Sequence, residues 1–86
     1  MKNLEKNLKA LANKRRLEIL KSLKGGRASS VGDIAEKIKL SFKATSRHLL
    51  ILFRADILDK EQKDNQVFYK IAANPARVVK DTISIL

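Results

Sequence analysis

The chain has 86 residues and carries 19 Lys and Arg against 9 Asp and Glu, a formal net charge of +10. It contains no cysteine, which excludes disulfide staples, thiolate metal sites and cysteine nucleophiles together. With 44% hydrophobic residues it holds apolar material for one small packed domain, residues 1–86, and its longest apolar run, residues 49–53, falls far short of the roughly 20 residues that cross a bilayer.

Leu4, Leu8 and Leu11 recur at i, i+4 and i+7, one face of a helix over about residues 2–12. Asn13 is suited to break that helix and cap a second, about residues 14–24, with Leu17, Leu20 and Leu23 on one stripe. Gly25 and Gly26 end it. Ser30 and Asp33 have the spacing of a capping box and open a short helix that buries Val31, Ile34, Ala35 and Ile38. Ser41 caps a fourth helix, about residues 42–54, with Thr45, Leu49, Leu52 and Phe53 on its inner stripe. Two strands then flank Asp64 and Asn65, which tolerate the positive φ of a hairpin turn, and form a ribbon over about residues 57–71. Asn74 and Pro75 read as N-cap and first residue of a last helix, residues 75–86, whose stripe is Val78, Val79, Thr82, Ile83 and Leu86. The expected fold is mainly α with a small β-hairpin, in the order α-α-α-α-β-β-α of a winged helix-turn-helix.

The positive charge is uneven. Residues 1–24 carry eight basic and two acidic groups, residues 25–54 six and two, and residues 55–86 five of each. A basic surface fits nucleic acid, an anionic membrane surface or an acidic protein. With no apolar h-region among residues 1–6, the expected compartment is the cytoplasm.

Four stretches, in order and spacing, resemble the ArsR/SmtB-type winged-helix transcriptional repressors. They are residues 10–20 (ALANKRRLEIL), 31–35 (VGDIA), 40–49 (LSFKATSRHL) and 67–71 (VFYKI). The first is similar to the family's ALADPTRLRIL, with Asn13 and Lys14 in place of Asp-Pro; the third is similar to its recognition helix. The resemblance implies a dimeric regulator bound to DNA. Two features of the family are missing. Where many members carry a metal-sensing Cys-Val-Cys, this chain has Ser30, Val31 and Gly32, and its last helix offers Asp81 and Ser84 with no His. Zinc and similar ions need three or four close ligands, so neither a metal site nor a cofactor is expected.

A recognition helix reads base edges in the major groove. Lys43, Ala44, Thr45, Ser46 and Arg47 are therefore the expected base-contacting group, with Arg47 able to donate two hydrogen bonds to guanine and Ala44 able to touch a thymine methyl. Lys14, Arg15, Arg16, Lys39, Ser41 and Arg54 are expected on phosphates. For Arg16 a structural role, pairing with an acid or capping a helix end, is the alternative. Lys60, Lys63 and Asn65 form the wing tip, whose two cations are offset by Glu61 and Asp64. Leu4, Leu8, Leu11, Val79, Ile83 and Leu86 are expected at a homodimer interface, which would set two recognition helices about one DNA turn, roughly 34 Å, apart on a near-palindromic operator.

His48 is unique in the chain. Ser46 lies two residues away and so faces elsewhere on a helix, which removes a nucleophile–base pair and with it the case for catalysis. His48 is expected to pack or hydrogen-bond on the recognition helix. Nothing identifies a small-molecule effector. A winged-helix module binding protein or RNA is the alternative function.

Overall fold

Side-chain caps set three helix starts. In the computed structural model, which describes residues 2–86, Asn13 Oδ1 accepts from the Arg16 N–H at 3.1 Å, Ser30 Oγ from Asp33 at 3.1 Å and Ser41 Oγ from Ala44 at 3.1 Å. Each satisfies a backbone donor that a helix start leaves orphaned, a contribution of about 1 kcal/mol. The elements are α1 (Lys2–Leu11), α2 (Lys14–Leu23), β1 (Ser29–Ser30), α3 (Val31–Ile38), α4 (Phe42–Arg54), β2 (Leu58–Lys63), β3 (Gln66–Ile71) and α5 (Arg77–Ser84). Gly25 and Gly26 leave α2 with φ of 111° and 86°, conformations that side-chain-bearing residues avoid.

The core lies where α2, α3 and α4 meet the hairpin. Ile19, Leu20, Leu23, Ile34, Leu49, Leu52, Ile57 and Leu58 are fully buried there. Each side chain of this kind contributes roughly 1.5–3 kcal/mol by leaving water. The inner stripe of α4 is thereby committed to the core, and its opposite side is left to solvent.

Two features depart from the sequence reading. The sheet has three strands, in the order β1-β3-β2, because Ser29 and Ser30 pair antiparallel with Tyr69 and Phe68. Ser30 thus ends a strand and caps α3 at once. The last helix begins at Arg77 behind Ala76, with no side-chain cap, so Asn74 and Pro75 belong to the preceding loop. The hairpin turn is as expected: Asp64 and Asn65 have φ of 52° and 65°, both positive as a two-residue type I′ turn requires, and Lys63 pairs with Gln66 across it.

Candidate nucleic-acid interface

On α4, Lys43 and Arg47 are exposed, and Ala44 and Ser46 are half-buried. Phe42, at the start of the helix, is 62% exposed. Thr45 departs from its expected role at a base edge. It is 0% exposed and its Oγ1 has no hydrogen-bond partner, because its position on the inner stripe turns it into the core. The outward group is Lys43, Ala44, Ser46 and Arg47.

The expected phosphate contacts divide in two. Lys14, Lys39, Ser41 and Arg54 are exposed. Arg15 and Arg16 are half-buried and already engaged. Arg15 Nη1 donates to the Ile38 carbonyl at 2.7 Å and to Glu18 Oε1 at 3.1 Å, tying α2 to the end of α3. Arg16 Nε donates to the Ala10 carbonyl at 2.6 Å, its Nη2 to the Lys9 carbonyl at 3.2 Å, and its Nη1 meets His48 Nδ1 at 3.3 Å. Of the two roles open to Arg16 in the sequence, capping a helix end is the one these distances describe. Burial, helped by Arg16, Arg47 and Arg15, holds the His48 pKa below its ordinary 6.5.

The wing tip residues Lys60, Lys63 and Asn65 are exposed. Lys60 Nζ sits 4.6 Å from the centre of the Phe53 ring, a cation–π contact that leans β2 on the C-terminal half of α4. Wing and α4 form the walls of an open cleft of about 330 Å³, lined among others by Phe42, Ser46, Leu50, Lys60 and Tyr69. Among the described residues, no three His, Asp or Glu side chains are grouped as metal ligands. Ser30 Oγ is occupied as the α3 cap. Asp81 lies 3.8 Å from Arg77.

The expected dimer residues also divide. Leu4 and Leu8 are 42% and 48% exposed on α1. Leu11 and Val79 are buried in the protomer's own core, and Ile83 and Leu86 pack against it partly covered, because α5 lies against α1. Ile85, the residue that closes α5, is 83% exposed.

Residues 13–60 match the family described as "Bacterial regulatory protein, arsR family". The transcriptional activator HlyU of Vibrio cholerae serotype O1 is 33% identical over 92% of this chain and 79% of its own length. The transcriptional repressor SdpR of Bacillus subtilis strain 168 is 34% identical over 88% of this chain and 80% of its own. The structure of reduced HlyU from Vibrio cholerae N16961 superposes with a TM-score of 0.83 at 34% identity, covering 98% of this chain and 84% of that one. The homodimeric winged helix-turn-helix DNA-binding domain of Mb0332 from Mycobacterium bovis does so with a TM-score of 0.81 at 26% identity, covering 98% and 74%.

Proposed function

The chain belongs to the arsR family of bacterial regulatory proteins and is a DNA-binding transcriptional regulator with a winged helix-turn-helix, and from that premise we propose that it acts in the cytoplasm as a homodimeric, metal-independent repressor on a near-palindromic operator. The observation that carries the reading is the division of α4. Its inner side is core, Lys43, Ser46 and Arg47 stand on the outer side, and Lys14, Lys39 and Arg54 are exposed as well. In this reading Arg47 and Lys43 address base edges, and the surrounding cations address phosphates. Exposed Leu4 and Leu8, with Ile85, supply apolar surface for a second copy. Repression needs only occupancy of the operator, which one DNA-binding domain provides. Metal independence is supported by Ser30 serving as a helix cap and by Gly32, which has no side chain to offer an ion.

The test is enrichment of duplexes from a random pool by the full chain, followed by salt titration of the enriched duplex against a scrambled one. With about 6–10 phosphate contacts, affinity for either duplex falls about 10³–10⁵-fold between about 50 and 200 mM salt, and the preference for the enriched duplex persists. Micromolar zinc leaves the preference unchanged. Failure to enrich any duplex refutes sequence-specific regulation, and a tenfold response to zinc refutes metal independence.

A further inference from the structure

Among the basic side chains described, Arg16 has the most hydrogen-bond partners, three against two for Arg15. A helix C-terminus leaves its last carbonyls without intrahelical partners. At the end of α1, the Ala12 N–H takes the Leu8 carbonyl at 3.0 Å, and the Asn13 N–H turns back to the Leu11 carbonyl at 2.8 Å. The Lys9 and Ala10 carbonyls in between are taken by Arg16 Nη2 and Nε. The third nitrogen, Nη1, reaches His48 Nδ1 in the middle of α4. The base of Arg16 is fixed as well, since its own N–H donates to Asn13 Oδ1.

We propose that Arg16 is a positioning residue for DNA recognition: its guanidinium locks the rotation of α4 to the end of α1 through His48. The inference rests on the reading of α4 as the recognition helix. Arg47 is the neighbour of His48 on that helix. Any rotation of α4 about its axis that breaks the Arg16–His48 bond swings Arg47 through the same angle, because both are carried by one hydrogen-bonded helix. The far end of the lock is α1, which carries exposed Leu4 and Leu8. The same guanidinium therefore joins the helix offered to a second copy to the helix offered to DNA.

The lock requires one protonation state. Arg has only donors, so Nδ1 must be the acceptor and the imidazole must be neutral, with its proton on Nε2. The charged groups that face His48 are Arg15 and Arg16 from α2 and Arg47 from α4, all cations. With burial they favour the neutral ring. Because the folded pKa is lowered, the unfolded chain binds the proton more readily. The lock is intact above about pH 6.5; as pH falls from there through the lowered folded value, native stability drops and protonation then turns Nδ1 into a donor facing donors.

The experiment measures discrimination, the affinity ratio between the enriched and scrambled duplexes, from about pH 7.5 downward to the lowest pH at which the chain remains folded. His48→Leu, which removes the acceptor, is expected to lose about tenfold in discrimination at the upper end of that range, about 1.4 kcal/mol, while affinity for the scrambled duplex is kept. His48→Asn keeps an acceptor near the place of Nδ1 and retains discrimination. Wild type loses discrimination on acidification, and His48→Asn does not. Adding Arg16→Lys to His48→Leu costs nothing further in discrimination. Denaturation midpoints establish that each variant is folded, and if His48→Leu is not, the pH profile of His48→Asn decides. The proposal is overturned if His48→Leu discriminates like wild type, or if His48→Asn declines with pH as wild type does. Either result leaves the regulator reading intact so long as wild type prefers the enriched duplex; loss of that preference refutes the reading itself.

Discussion

Thr45→Val separates the role of this position in the core from a role at the DNA. The two side chains are nearly isosteric and both are β-branched, so the exchange leaves the packing and rotamer demands of α4 almost unchanged. What changes is one hydroxyl. Thr45 is 0% exposed and its Oγ1 meets no donor or acceptor. Burying such a group unpaired costs about 1–3 kcal/mol. A methyl in its place is expected to raise the unfolding free energy by about 1 kcal/mol, taking the low end because the surrounding side chains relax around either group. For a domain of this size that corresponds to a rise in Tm of about 4–8 °C. Urea denaturation at fixed protein concentration reads the change as a shift in midpoint at constant slope. Discrimination between enriched and scrambled duplexes should stay within twofold, since a buried side chain touches no base. A lower midpoint, or a loss of discrimination, would refute the assignment of Thr45 to the core.

Arg47→Ala is expected to cost about 1–3 kcal/mol on the enriched duplex and little on scrambled DNA, measured by fluorescence anisotropy; equal losses on both would reduce Arg47 to a phosphate contact. Lys14→Gln and Arg15→Gln remove the same charge from adjacent positions. The first should reduce the salt slope by about one per protomer, and the second should leave it unchanged, because Arg15 is engaged by Ile38 and Glu18. In the proposed dimer Leu8→Glu would bring like charges together, and it should weaken self-association at least about tenfold in sedimentation equilibrium; an unchanged constant would move the interface elsewhere. Lys39 closes α3 in the left-handed region at φ 57°, so Lys39→Gly should stabilise the fold by about 0.5 kcal/mol while lowering affinity for every duplex.

Most local signals hold in the fold, whereas non-local pairings leave no trace in the sequence. The caps at Asn13, Ser30 and Ser41 were legible because each acts over three residues, within the reach of its own side chain. The Asp64–Asn65 turn was legible for the same reason. The two residues of β1 show no periodicity, and their partners lie some forty positions away. Asn74 and Pro75 carry a genuine start signal, yet α5 begins two residues past Pro75 because the loop from β3 runs on to Ala76. The apolar stripes of α1 and α5 are legible as stripes. Nothing in a stripe distinguishes Leu11 and Val79, covered by their own protomer, from Leu4 and Leu8, which are not. Arg15 and Arg16 read as phosphate ligands because a carbonyl acceptor leaves no mark in a sequence: every residue has one.

The uneven charge that marks the sequence is thus two populations with different work. Lys14, Lys39, Lys43, Arg47 and Arg54 project into solvent and are able to displace counterions from a duplex. Arg15 and Arg16 hold backbone carbonyls of α3 and α1, and their charge reaches DNA only as a field. After burial, Arg16, Arg47 and Arg15 keep the proton off His48. The half over residues 55–86 is net neutral. Its hairpin supplies Tyr69 and Leu58 to the core, and its wing leans on Phe53 through Lys60. Charge concentrated on the reading helix and its supports, with a neutral wing behind, suits a protein in which the orientation of α4 is the quantity under control.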